Sequence, residues 1–331
     1  MAPGYRYPFP PFPNGWFCIA ESADLTRDEP KALFFFGRDL AAYRGADGQA
    51  IVVDAHCPHL GAHLGHGGKI SGDCISCPFH AWKYDGKSGD LVDVPYAKRL
   101  PVARLRTYPV IEWAGLVIVF YDSKAEAPTW TPELPEMPPD EWRVYGRKTY
   151  KVRVHVQDVG ENGFDTAHIA VVHKDLIPEL VKAEGKGPVF RVETKPAPDA
   201  PSAKFIQAIN RTLWGLGLSM NYFYGKVESR IAITRTPIDE EYTEIRLNFI
   251  PKVYENIAVT EALGQALSQR VSEEIEQDMP IWENKSYIEN PILAQGDGPV
   301  GSWRRWCKQF YPASISAKSA DSQESASPAE A

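Results

Sequence analysis

Two short segments constrain this chain more than any other feature: Cys57-Pro58-His59 and Cys77-Pro78-Phe79-His80. Each offers one thiol and one imidazole, spaced C-x-H and C-x2-H, with 17 residues between His59 and Cys77. A fold that uses all four groups must bring two tight loops to one place. The proline after each cysteine and the glycines Gly61, Gly67, Gly68 and Gly72 suit such loops. Two Cys and two His can hold either Zn²⁺ or a [2Fe–2S] cluster. In a mixed-ligand cluster one iron takes both thiolates and the other both imidazoles, so each loop must present one of each. Loop amides aimed at sulfur tune its reduction potential. Zinc is the alternative, since Cys74-x2-Cys77 is a zinc-like pair. Zinc ribbons and fingers rarely place His two residues after Cys, however, and Cys74 reads as a buried strand residue. His56, His63 and His66 lie outside the pattern and are expected in solvent or packing roles.

All eight histidines of the 331 residues fall between His56 and His173, so a second metal site is sought in the same window. Composition narrows the classes further. Hydrophobic residues make up 44%, enough for real cores. The net charge of −7 argues against a nucleic-acid surface. No apolar run reaches the ~20 residues of a membrane span, and no secretory leader is visible. Five cysteines argue against a disulfide framework and for a cytoplasmic protein.

The chain reads as α+β. Residues 16–122 form an all-β unit, with strands at Leu33–Phe36, Ala50–Val53, Ile70–Cys77 and Gly115–Tyr121. The proline-rich stretch 123–141 is a linker that cannot hold regular structure. Residues 142–311 alternate as an antiparallel sheet with helices beside it: strands at 150–156, 204–209, 218–224, 229–236 and 244–251, then a long helix from about Thr260 to Tyr287. Residues 312–331, nearly free of bulky groups, read as a disordered tail.

His168 and His173 are five apart, which is ~140° on an ideal helix. To share a metal, the segment must bend or end between them. Spacing alone does not separate such a pair from two satisfied histidines near a helix end. A mononuclear iron that activates O₂ also needs a carboxylate. The long helix carries an apolar stripe at Leu263, Leu267, Val271 and Ile275. Projection at ~100° per residue puts Asp278 at the centre of that stripe and Glu274 inside it. A carboxylate on a buried face is expensive unless paired or metal-bound, so these two are the candidates and centrality favours Asp278.

These motifs resemble the Rieske non-haem iron oxygenases. The cluster loops match their [2Fe–2S] motif, and Asn162-x2-Asp165-x2-His168-x4-His173 matches their catalytic signature. The resemblance implies an N-terminal Rieske domain and a C-terminal helix-grip domain. It implies Cys57, His59, Cys77 and His80 as cluster ligands, and His168, His173 and Asp278, in Gln277-Asp278, as Fe(II) ligands. Asp165 is then the carboxylate that bridges to a cluster histidine of a neighbouring subunit, and Asn162 sits close to the iron. Val94-Pro95-Tyr96-Ala97-Lys98-Arg99 and Gln277 to Lys285 make the chain similar to the 3-ketosteroid 9α-hydroxylase and cholesterol-7-desaturase-like branch. That likeness implies a terminal monooxygenase that consumes O₂ and oxidises a sterol or steroid. Its electrons come from NAD(P)H through a separate flavin/iron–sulfur reductase or ferredoxin, and it works as a homotrimer. Oxidation of a sterol ring methyl, desaturation, and an aromatic substrate are the alternatives. Leu213 to Tyr224 mixes large apolar residues with glycine, as a cavity wall or an ordinary sheet core could.

Overall fold

The computed structural model describes residues 5–163 and 165–312. Most of the segment read as a disordered tail, residues 313–331, lies outside the described residues. Ten strands build the N-terminal unit. They are β1 (Gly15–Glu21), β2 (Lys31–Phe35), β3 (Arg38–Arg44), β4 (Ala50–Asp54), β5 (Lys69–Ser71), β6 (Cys74–Ser76), β7 (Lys83–Asp85), β8 (Leu91–Asp93), β9 (Val110–Trp113) and β10 (Leu116–Tyr121). Three small antiparallel sheets result, ordered β1-β10-β9, β2-β3-β4 and β5-β6-β7-β8. The stretch expected as one strand from Ile70 to Cys77 is instead a hairpin. Gly72, in the left-handed region at φ 65°, turns the chain between β5 and β6, which pair Ser71 with Cys74. Cys74 is half-buried rather than buried.

The second unit contains β11 (Gly146–Val152), α1 (Val156–Asn162), α2 (Ala167–Val172), β12 (Glu179–Lys186), β13 (Val189–Lys195), β14 (Ile206–Trp214), β15 (Leu218–Gly225), β16 (Ser229–Pro237), β17 (Thr243–Pro251), α3 (Ile257–Asn284) and α4 (Val300–Cys307). The seven strands form one antiparallel sheet, ordered β11-β17-β16-β15-β14-β13-β12. The architecture is α+β, with a helix gripped by a sheet. Asn256 caps α3 by accepting from the Ala258 amide at 3.1 Å. The half-buried Leu267, Val271 and Ile275 of α3 pack on Ile231, Ile245 and Leu247 of the sheet. The strand expected to run from Tyr150 to Val156 ends at Val152. Its alternation is interrupted because His155 caps a helix, accepting from the Gln157 amide at Nδ1.

The proline-rich segment 123–141 has no helix or strand, yet it is not loose. Trp130, Leu134 and Met137 pack against a core shared by Trp16 and Phe120 of the first unit and Trp214 and Met220 of the second. Trp16 Nε1 donates to the Trp130 carbonyl at 2.9 Å. No helix among the described residues is long and apolar enough to cross a membrane.

His155 is an acid-sensitive point of this frame. Its Nδ1 faces a backbone N–H and its Nε2 donates to the Pro11 carbonyl at 3.1 Å, so the neutral ring is the one that fits. Burial pushes its pKa down to about 3. A depressed folded-state pKa gives stability that is present above ~6.5 and lost as pH falls toward about 3. We predict a loss of about 1.4 kcal/mol per pH unit across that window. His155→Asn, which keeps a cap, should flatten the decline in a series of melting curves. An unchanged slope would refute the assignment.

Candidate metal centres

Both cysteine loops close in the same way. The Cys57 amide donates to the Ala62 carbonyl and the Gly61 amide to the Cys57 carbonyl, each at 2.9 Å. The Cys77 amide donates to Trp82 at 2.8 Å and the Ala81 amide to Cys77 at 3.0 Å. Each loop turns through one left-handed residue, Gly61 at φ 75° and Ala81 at φ 56°. Ala81 has no such ease as glycine there, so the closed loop must hold it in place. Loop closure buries both thiols beside one another. The His59 and His80 rings meet edge to face, with centroids 4.7 Å apart. His59 stacks on Trp82 at 4.3 Å, and Trp82 is itself anchored by a 2.7 Å hydrogen bond to the Tyr96 hydroxyl.

The Nδ1 atoms of His59 and His80 are buried and have no partner, which is costly in a finished protein. Two buried thiols and two orphaned imidazole nitrogens fit a [2Fe–2S] cluster bound by all four. They fit a single zinc ion less well. Among the described residues, only His168, His173 and Asp278 bring three ligand atoms within 4.8 Å of one another. Tyr84, which sequence reasoning missed, stands 3.2 Å from Cys57 Sγ. Burial raises the pKa of its phenol, so it stays a donor toward a thiolate. The available signal was a residue with an apolar ring and a polar tip four positions after His80. His56 is exposed and held by Asp39 (2.8 Å) and the Gly61 carbonyl (3.0 Å). His63 accepts from the Gly65 amide, and His66 lies against its ring.

The second site forms where α1, α2 and α3 meet. α2 ends at Val172 and His173 caps it, so the two histidines do not share a regular helix and their ring centroids lie 5.1 Å apart. Asp278 of α3 is 4% exposed and faces them, its Oδ1 3.6 Å from His173 Nε2. Burial pushes its carboxyl up while His168 and His173 pull it down, with a net rise. Such a group is expensive without a cation, and these three side chains could hold one ferrous ion. Asn162 spans the gap: its Nδ2 donates to Asp278 Oδ2 at 2.8 Å and lies 3.3 Å from His168 Nε2. His173 Nδ1 donates to Gln277 Oε1 at 2.9 Å, which points Nε2 at Asp278. Glu274, the other candidate, is tied to Arg270 at 2.6 Å.

Asp165 lies on the far side of His168. Its Oδ2 is 3.7 Å from His168 Nδ1, an orphaned buried nitrogen, and its Oδ1 accepts from the Ala167 amide. The His168 ring, with these amides, holds the Asp165 carboxyl below its usual range. The Asp165 side chain is 40% exposed, so its carboxylate is reachable from outside.

Behind the triad lies a cavity of about 300 Å³, bounded by Ile209, Ile231, Ile233, Val271 and Ile275 among others. The pleat divides the segment read as a possible cavity wall. Leu213, Ser219, Asn221 and Phe223 face the cavity, while Trp214, Leu218 and Met220 face the core shared with the first unit.

The comparisons with known proteins cover both units. The family model for the Rieske [2Fe-2S] domain matches residues 15–109, and that for the 3-ketosteroid 9alpha-hydroxylase C-terminal domain matches 119–311. Cholesterol 7-desaturase of Xenopus laevis is 31% identical over 91% of this chain and 72% of its own length. A probable 3-ketosteroid-9-alpha-monooxygenase oxygenase component of Rhodococcus rhodochrous is 32% identical over 91% and 80%. The fold is also that of Pseudomonas putida NdmA solved with caffeine: TM-score 0.71 and 19% identity, over 88% of this chain and 89% of that one.

Replacing His168 or Asp278 by Ala should lower iron from about three to about two per chain and leave the visible cluster spectrum intact. Glu274→Ala should keep all three, and Cys57→Ser should bleach the protein. Iron loss on Glu274→Ala but not on Asp278→Ala would reverse the choice of carboxylate.

Proposed function

From the premise that this chain belongs to the Rieske oxygenases of the 3-ketosteroid 9α-hydroxylase and cholesterol 7-desaturase branch, we propose that it is the terminal oxygenase of a system that oxidises a sterol or steroid. The observation that carries this reading is the His168–His173–Asp278 triad set against a largely apolar cavity. About 300 Å³ falls at the lower end of the ~300–1,000 Å³ range of pockets that enclose a drug-sized molecule.

When bound, the cluster passes single electrons, and Fe(II) activates O₂ beside substrate. The protein's own groups position and insulate that chemistry. His168, His173 and Asp278 would hold the ion, and all three line the cavity in which substrate would sit. Asn162 and Gln277 fix the ligand orientations through hydrogen bonds. Apolar residues of β14, β16 and α3 exclude water from the reacting carbon. Asp165 lies 3.7 Å from His168 and is 40% exposed, which supports reading it as the carboxylate that would join the iron site to another subunit's cluster. The loop tips carry exposed Leu60 and Phe79 next to the cluster histidines, a surface suited to subunit contact. A head-to-tail homotrimer in the cytoplasm, supplied from NAD(P)H by a separate reductase, follows from this reading. The desaturase relatives favour a second outcome at the same site, removal of two hydrogens instead of addition of oxygen.

Turnover of sterols, ketosteroids and aromatic acids with a surrogate reductase tests the substrate class. A steroid product heavier by one oxygen, or lighter by two hydrogens, is expected; oxidation of aromatic acids alone would overturn the reading. Asp165→Asn should keep both metals while kcat falls by about 10–100-fold or more. A normal single-turnover rate after reduction would remove Asp165 from the electron path.

A further inference from the structure

Two arginines that no part of the metal machinery uses line the same cavity, Arg211 on β14 and Arg235 on β16. They share the cavity face of the sheet. Arg211 lies opposite Asn221 of β15, Asn221 opposite Ile231 of β16, and Arg235 follows Ile231 on that same face. Arg235 is 5% exposed; its Nε donates to the Leu216 carbonyl at 3.2 Å, and its buried Nη2 has no partner. Arg211 has no hydrogen-bond or ion-pair partner among the described residues. A Cβ built on Gly163, the residue after Asn162, would lie 3.5 Å from Arg211 Nη1, so this guanidinium sits near the metal end of the cavity.

The surrounding acids are already engaged. Glu274 also lines the cavity but is committed to Arg270, and Asp278 faces the two histidines. Burial, with the positive charge of Arg211 adding to it, brings the Arg235 pKa down to about 10, and burial also lowers that of Arg211. The charge of Glu274 also reaches Arg211, but that carboxylate is shared with Arg270, so two cations that repel one another in a largely apolar cavity stay under-compensated. A ligand that only fills volume would leave that penalty in place, and a neutral carbonyl would leave both charges uncompensated. A carboxylate would satisfy the guanidinium forks and cancel a charge together.

Resting on the function proposed above, we propose that the substrate is an acid: an apolar ring system bearing a carboxylate, which Arg211 and Arg235 bind along the floor of the cavity and so orient toward the metal end. These residues position the substrate and set specificity; they take no part in the bond chemistry.

The test uses holoenzyme with both metals in place and two matched pairs of probes. One pair is a bile-acid-type steroid carboxylic acid and its methyl ester, the other a naphthoic acid and methyl naphthoate. Calorimetric titration without O₂ should show at least one acid binding about tenfold or more tighter than its ester. Arg211→Leu and Arg235→Leu should each bring acid and ester to within about twofold, and Arg→Lys at either site should retain part of the preference. Arg211→Leu should also melt no lower than the parent without ligand, since it removes a half-buried charge that has no hydrogen-bond or ion-pair partner among the described residues. A purely structural arginine would give the opposite result. If a Leu variant fails to fold, the Lys variant at that site carries the comparison. Arginine-dependent preference for the naphthoic acid alone would uphold this inference and sink the steroid reading. Neutral steroids oxidised with no arginine dependence would do the reverse. Acid and ester binding alike in the parent, an acid preference that survives both Leu variants, or no binding by any probe would overturn the inference.

Discussion

A buried carboxylate must have a positive partner, and the second unit is organised around that requirement. Asp278 sits on the inner face of α3, where the surrounding positions are apolar or half-buried, and it meets His168, His173 and the Asn162 amide. To place those groups opposite it, α1 stops at Asn162 and α2 stops at Val172, each after less than two turns. The seven-stranded sheet then supplies the wall that keeps water from the site and leaves room on one side. Moving α3 by one residue would rotate Asp278 away by ~100° and leave a charge facing isoleucines.

The first unit answers a different requirement, the burial of sulfur among apolar side chains on loops closed by their own backbone. Its cores surround the loops: Leu64, Ile75, Trp82 and Tyr84 pack with the two cysteines. The segment between the units completes the arrangement, because Trp130 and its neighbours tie the two sheets into one apolar contact. Both candidate metal sites therefore stand on units that share one apolar core.

Much of this was legible in the sequence because chemistry-bearing residues announce themselves by spacing. The cysteine–histidine pairs gave the loops, and the projection of the long helix narrowed the carboxylate to Asp278 and Glu274 and favoured Asp278 by centrality; the structure ties Glu274 to Arg270. What was not legible depended on chain direction in space. Ile70 to Cys77 has the composition of one strand, but Gly72 reverses it. Val154 continues the alternation of a strand although the hydrogen bonding has already ended, because His155 begins a helix. Arg235 falls inside an expected strand, but Arg211 lies beyond the expected end at Ile209 of a strand that runs on to Trp214. Alternation does not encode that their face of the sheet is the one that borders the cavity.

The matching frames of the two cysteine loops bear on how the thiols are held. The hydrogen bonds that close each loop run between backbone atoms of the loop itself, from Cys57 to Ala62 and from Cys77 to Trp82. In each loop the amide and the carbonyl of the cysteine are both taken, so its sulfur hangs from backbone fixed on two sides. Outward-facing side chains of the loops can then vary while the frame that carries each sulfur stays the same.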